Sequence, residues 1–258
     1  MSNSLTRTHR TPIGDPHLRQ SYTHAVQTDY FGKGEAAALF NSTGYDRSYD
    51  AAVTGSRVLA RISSRVELPE KIELATDRPN LFAANHSSLF DLIAALIVLG
   101  NYGIPARIGV NSRFFKNPIG GGFLRSIGCI PFSRDDKEAA EHSMVEALLA
   151  GQSAAIMPEG RITRPEDQVN GVGQGRPGVS RVARRAGAAV VPVGFAFANE
   201  AWVPGTPLPK PRFGRHKVIA NIGSPITFET DDHIANAKEL MDAIGNLVQA
   251  GRAKRELP

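Results

Sequence analysis

The sequence predicts an α/β fold, a mixed and largely parallel sheet flanked by helices, from three observations. Short apolar runs alternate along the chain with helix-period patterns, the arrangement expected of a sheet covered by helices with parallel strands at its centre. Its 25 glycines and 17 prolines supply many turns between such elements. With 41% hydrophobic and 21% charged residues in 258, the chain can bury one sizeable core.

Residues 1–44 are polar, rich in Thr, His and Gly and without clear periodicity, and are expected to form a poorly ordered extension with at most short helices. A domain over 45–258 follows. Between Tyr45 and Arg65, Ala52, Val53, Val58, Leu59 and Ile62 recur at helical spacing among Arg47, Arg57, Arg61 and Arg65. This basic amphipathic helix either packs on the domain with a solvated charged face or lies on a membrane surface. Apolar runs then predict strands near 81–84, 106–110, 127–132, 153–157, 188–196 and 216–222. Helical patterns predict helices near 89–100, 137–150, 177–186 and 233–250. In such sheets ligands bind beyond the carboxyl ends of the strands, where three candidate segments fall.

Several classes are excluded on composition and pattern. No apolar run approaches the about 18 residues of a spanning helix; Leu92 to Leu99 and Ala188 to Ala198 are far shorter. The start Met-Ser-Asn-Ser stays polar through Arg19 and lacks a secretory core. One cysteine, Cys129, cannot form an internal disulfide and leaves the compartment open, an intracellular one being natural. No His or Cys cluster has ligand spacing, so no metal is expected. The net charge of +5 suits anionic partners such as phosphates, acyl carriers, coenzyme A or lipid heads. Nucleic acid is not expected, because the basic residues are spread along the chain without a recognition motif.

The first chemical segment is Asn85-His86-Ser87-Ser88-Leu89-Phe90-Asp91, at a strand end turning into a helix. Five residues is not the spacing of one helical face, so the turn must bring His86 and Asp91 together. Asp91 would then fix the imidazole tautomer and leave the other ring nitrogen free to take a proton from a hydroxyl. Ser88 to Asp91 is equally a capping box in which Asp91 serves a helix N-terminus. The second segment, Gly128 to Arg134, ends on an arginine whose planar fork suits phosphate or pairs with Asp135 or Asp136; Arg113 and Lys116 upstream would add positive charge or simply face solvent. The third, Met157-Pro158-Glu159-Gly160-Arg161-Ile162-Thr163-Arg164, puts Glu159 at the apex of a turn, with Arg161 and Arg164 close enough to surround an anion. The fourth, Val191-Pro192-Val193-Gly194, is an apolar strand with a proline.

Together these segments, in this order over roughly residues 80–195, resemble the glycerophospholipid acyltransferase family, which includes 1-acylglycerol-3-phosphate acyltransferase. The resemblance implies transfer of a fatty acyl group from acyl-CoA or acyl carrier protein, as co-substrate with no cofactor, to a hydroxyl of lysophosphatidic acid or a related glycerol phosphate. It implies His86 and Asp91 as the catalytic pair, Arg134 on the acceptor phosphate, Glu159 and Gly160 shaping that pocket with Arg161, and Pro192 beside the acyl or donor site. The family commonly has Phe before Pro-Glu-Gly and Thr-Arg-Ser after it; here Met157 precedes and Arg161-Ile162-Thr163 follows, so Arg164 competes with Arg161 for the phosphate. The basic amphipathic helix near 45–65 and the missing run of spanning length make the expected setting intracellular and peripheral, on the cytoplasmic face of a membrane.

Two other readings have some basis in the sequence. Gly173-Gln174-Gly175-Arg176-Pro177-Gly178 matches the dinucleotide pattern of an NAD(P)-dependent oxidoreductase, with Glu200 about 20 residues on, but it follows a polar loop rather than a strand and contains Pro177. A non-catalytic lipid-binding module would leave His86 and Asp91 only a capping role.

Overall fold

Continuous apolar runs on short strands produce a sheet with two covered faces, seen in a computed structural model that describes residues 43–133, 136–206, 209 and 216–256. Helix α1 (Thr43–Ser63) leads to β1 (Arg65–Glu67), β2 (Asn80–Ala84) and α2 (Phe90–Tyr102). Then come β3 (Ala106–Asn111), α3 (Pro118–Ser126), β4 (Ile130–Phe132), α4 (Lys137–Leu149) and β5 (Ser153–Ile156). Helix α5 (Gly178–Ala186), β6 (Ala189–Ala196), α6 (Ala198–Ala201), β7 (Lys217–Ile222) and α7 (His233–Glu256) complete the order. The 7-stranded sheet runs β1-β7-β6-β2-β5-β3-β4. Every pairing is parallel except β6 with β7, so the sheet is mixed and largely parallel, as the sequence predicts.

Strand β2 shows why the sheet is covered twice, since successive side chains of a strand point to opposite faces. Phe82 and Ala84 pack with α1 and α2, whereas Leu81 and Ala83 pack with α4, α5 and α7. Helix α2 is apolar almost all round and is buried from Phe90 to Leu99 apart from Leu92. Gly103 closes it in the left-handed conformation, φ 66°.

Several expectations change in detail. The strand expected over 127–132 begins only at Ile130, because Ile127, Gly128 and Cys129 donate their N–H groups back to carbonyls of Phe123, Arg125 and Leu124 and so finish α3. Helix α3 itself escaped the periodicity, being a run of three glycines with poor propensity. It forms because Asn117 Oδ1 accepts the N–H groups of Ile119 and Gly120 at 3.0 and 2.8 Å and Pro118 fixes the first turn. Strand β1, of three residues, and α6, of four, are too short to show a period. Helix α7 runs six residues beyond the expected end at 250. The extension expected over 1–44 lies outside the described residues apart from the first residues of α1.

Candidate active site

Because β2, β3, β4, β5 and β6 are mutually parallel, their carboxyl ends share one edge, and the segment after β2 meets the segment after β5 there. His86 Nδ1 lies 3.0 Å from Asp91 Oδ2 across the strand-to-helix turn. The same oxygen accepts the N–H groups of Ser87 and Ser88, each at 2.7 Å. Ser88 Oγ in turn accepts the Phe90 N–H at 3.1 Å. Asp91 therefore serves the start of α2 and also holds the imidazole. Since Asp91 is an acceptor at Nδ1, that nitrogen carries the proton and Nε2 is left as the acceptor. Asp91 is fully buried, whereas the His86 side chain is 20% exposed, so the ring reaches outward while its partner is fixed.

The backbone of His86 is gripped as well. Its N–H donates to Glu159 Oε1 at 2.8 Å, and its carbonyl accepts the Thr163 N–H at 2.8 Å. The Thr163 hydroxyl donates to Glu159 Oε2, closing a ring of hydrogen bonds through all three residues. Gly160 takes a φ of 65°, which a side chain would strain, and makes the turn that points Glu159 inward. Arg176 steadies the turn from outside through Nε to the Glu159 carbonyl at 3.0 Å and its own N–H to the Pro158 carbonyl at 2.9 Å. Nearby, the Asn85 amide clasps Phe195 of β6, donating to its carbonyl at 3.0 Å and accepting its N–H at 2.7 Å. Ser88 Oγ donates to the Trp202 carbonyl at 2.6 Å.

Burial pushes the Glu159 carboxyl above its ordinary value; the Thr163 hydroxyl, the His86 N–H and the imidazole pull it back, and Asp91 adds to the rise. A folded-state rise means that this group favours the fold fully below the unfolded value of about 4.5, and that the contribution is lost as pH rises through the raised value. Wild type should therefore lose stability relative to Glu159→Gln as pH rises through that window, whatever constant offset the lost hydrogen bonds add. Urea unfolding of both proteins over a pH series checks this; a pH-independent difference would contradict it.

The other expected site residues are placed less centrally. Arg134 lies outside the described residues; Ser133, after β4, is the last described before it. Arg161 and Arg164 are exposed beyond the Glu159 turn, with Arg161 4.0 Å from Asp167 and Arg164 3.9 Å from Glu166. Arg164 lines an open cavity of about 610 Å³ with Glu166, Asn199, Glu200, Val203 and His216. Pro192 is buried within β6, in register with Ala83. Arg113 and Lys116 are exposed in the turn after β3. Burial pushes the Cys129 thiol up to about 12, which removes it as a nucleophile. A narrow, wholly apolar crevice between α2 and the sheet, lined by Phe82, Ala84, Ala95, Leu99, Ile156 and Phe195, runs up to this edge.

Thr163, Arg176 and Asn85 were not singled out by chemistry in the sequence, because their partners are remote; Asn85 meets a residue 110 positions away. The glycines of the dinucleotide-like pattern have a packing role instead. A Cβ on Gly173 would stand 2.6 Å from Glu159 Oε2, one on Gly175 2.5 Å from Met241 Cγ, and one on Gly178 2.7 Å from Glu141 Oε1. That loop begins far from the end of β5 and so offers no strand-to-helix phosphate turn. Among the described residues, no group of three or more His, Cys, Asp and Glu is placed to hold a metal ion, and no helix is long and apolar enough to cross a membrane.

Residues 63–196 match the acyltransferase family model. Among solved structures, the fold is similar to that of the 1-acyl-sn-glycerophosphate (LPA) acyltransferase PlsC from Thermotoga maritima, with a TM-score of 0.64 at 18% identity over 92% of this chain and 95% of that chain. No curated protein matches in sequence.

Proposed function

Because the chain belongs to the acyltransferase family, we propose that it moves a fatty acyl group from acyl-CoA or acyl carrier protein to a hydroxyl of lysophosphatidic acid or a related glycerol phosphate, a step of phospholipid biosynthesis. The observation that carries this reading is the 3.0 Å contact between His86 Nδ1 and Asp91 Oδ2, with Nε2 left to face a substrate. Nε2 takes the proton of the acceptor hydroxyl as its oxygen attacks the thioester carbonyl carbon. The tetrahedral intermediate then collapses, the carbon–sulfur bond breaks, and the departing thiolate receives the proton from the imidazolium. Asp91 holds the ring and stabilises its transient charge. No acyl-enzyme is required, and the nearby hydroxyls are engaged elsewhere: Ser87 Oγ with Asp91 at 3.5 Å and Ser88 Oγ with Trp202.

Arg134 and Arg161 are assigned to the acceptor phosphate, with Arg164 as the alternative in the same loop. A charge-assisted bond held equally in ground and transition states changes affinity more than turnover. Arg134→Ala and Arg161→Ala should raise the KM for a phosphorylated acceptor about tenfold or more while kcat changes far less. The test is transfer of labelled acyl groups from either donor to lysophosphatidic acid, glycerol 3-phosphate and a non-phosphorylated alcohol. A large KM effect at Arg164 and none at Arg161 would shift the assignment within the loop. Equal use of the non-phosphorylated alcohol, with no KM effect at any of the three, would remove the phosphate from the acceptor. No transfer from either donor to any acceptor would sink the reading.

A further inference from the structure

Phe197 has an unusual backbone conformation at the edge of the sheet that carries His86. It follows β6 with φ 66° and ψ 13°, the left-handed region that a bulky side chain rarely adopts. Among the described residues the other non-glycine with positive φ is Asn170, whose short polar side chain tolerates it. A strained backbone of this kind persists only where its surroundings fix it. On one side the Asn85 amide clasps Phe195, two residues earlier. On the other, Arg255 from the last turn of α7 lays its guanidinium over the Phe197 ring, with Cζ 3.3 Å from the centroid. The same guanidinium forks onto Glu200 of α6, Nη1 to Oε2 at 2.9 Å and Nη2 to Oε1 at 3.1 Å. His216 Nδ1 lies 3.4 Å from that carboxylate as well.

Helix α6, four residues long, is too short to hold itself in place. Its Ala198 and Ala201 are buried against α2, and its Glu200 is taken by Arg255. The residue that ends it, Trp202, offers its carbonyl to the Ser88 hydroxyl at 2.6 Å. Ser88 in turn gives its N–H to the Asp91 oxygen that meets His86 Nδ1. A continuous chain of contacts therefore runs from α7 through α6 and Ser88 to the imidazole. The Arg255 and Glu200 side chains are 39% and 35% exposed, and a pair that open to water adds little to global stability. Its effect is accordingly on where α6 sits rather than on whether the chain folds.

We propose that Arg255 is a positioning residue: through its stack on Phe197 and its fork on Glu200 it holds α6 where the Trp202 carbonyl engages Ser88, and thereby sets the turn that keeps His86 against Asp91. The effect on turnover rests on the proposed acyl transfer; the placement of α6 and of the imidazole does not.

The test compares the full chain with its Arg255→Ala, Arg255→Lys, Glu200→Gln and Ser88→Ala variants. Two readouts need no acyl transfer: acrylamide quenching of Trp202, the one tryptophan of the chain, and the resonance of the Nδ1-bound proton of His86, assigned by its loss in His86→Ala. Arg255→Ala should raise the quenching constant and shift that resonance. It should also lower kcat about tenfold, a part of the about 10²-fold that about 1 Å of misplacement can cost. The urea midpoint should hardly move. Arg255→Lys keeps the charge but neither the fork nor the flat stack, and should restore little; Glu200→Gln should act in the same direction as Arg255→Ala. Because the route passes through Ser88, adding Arg255→Ala to Ser88→Ala should lower kcat little further. The proposal is overturned if Arg255→Ala leaves the quenching or the resonance as in wild type, if Arg255→Lys restores both, or if the kcat losses of Arg255→Ala and Ser88→Ala add in full. It is overturned too if Arg255→Ala raises only the acceptor KM, which would confine Arg255 to shaping the cavity that Glu200 lines. A wild type inactive with every acceptor would sink the proposed function alone, since quenching and resonance still judge the role of Arg255.

Discussion

His86→Ala should lower kcat by about 10² to 10⁴-fold, the range for losing a positioned general base, while the melting temperature moves little because the side chain is partly exposed and its backbone contacts remain. Asp91 is the sharper case, since one carboxylate oxygen accepts His86 Nδ1 and the N–H groups of Ser87 and Ser88 together. Asp91→Asn keeps an oxygen able to accept those hydrogens but removes the charge that would stabilise an imidazolium. It should therefore lose turnover by a factor approaching that of His86→Ala at a modest cost in stability. Asp91→Ala strands buried backbone donors as well, at about 1–3 kcal/mol for each one left unpaired. Measuring kcat on the folded fraction together with urea midpoints separates the roles. If folded Asp91→Asn turned over normally, Asp91 would be a capping residue and nothing more.

Gly173→Ala should damage the site from a position that carries no chemistry. Its new Cβ would press on the Thr163 hydroxyl and stand 2.6 Å from Glu159 Oε2, the two groups that fix the His86 peptide. Both are buried, so neither can swing into solvent. Overpacking of this kind costs about 1–3 kcal/mol. A displaced imidazole loses turnover steeply, since about 1 Å of misplacement can cost about 10²-fold. Gly55→Ala supplies the contrast: it lies within α1 with nothing inside 4 Å of an added Cβ, and should gain up to about 1 kcal/mol. Wild-type kcat and stability in Gly173→Ala would show that the Glu159–Thr163 ring does not hold His86.

Much of the fold was legible because its signals are local. Short continuous apolar runs and longer helical patterns lie within single segments, so Leu81 to Ala84, Ala189 to Ala196 and the helix after Phe90 are readable from neighbours along the chain. Helix α3 was missed because its stability comes from a cap at Asn117 and packing on Phe115 rather than from its own glycine-rich sequence. The antiparallel β7 could not be assigned a direction either, because one strand's pattern is the same read in both senses.

The sequence by itself determined the α/β class, the family blocks and the candidate pair His86 and Asp91, all carried by spacing within a few residues. Only the tertiary structure decided that Asp91 both serves the start of α2 and holds the imidazole, and that Glu159, 73 residues from His86, reaches back with Thr163 to fix its backbone. It also decided that the G-x-G-x-x-G loop packs against side chains of the site and of α4 and α7 instead of opening a nucleotide turn. The physical reason is that parallel crossovers bring the ends of distant strands to one edge, and hydrogen bonds made there depend on three-dimensional proximity that no local period encodes.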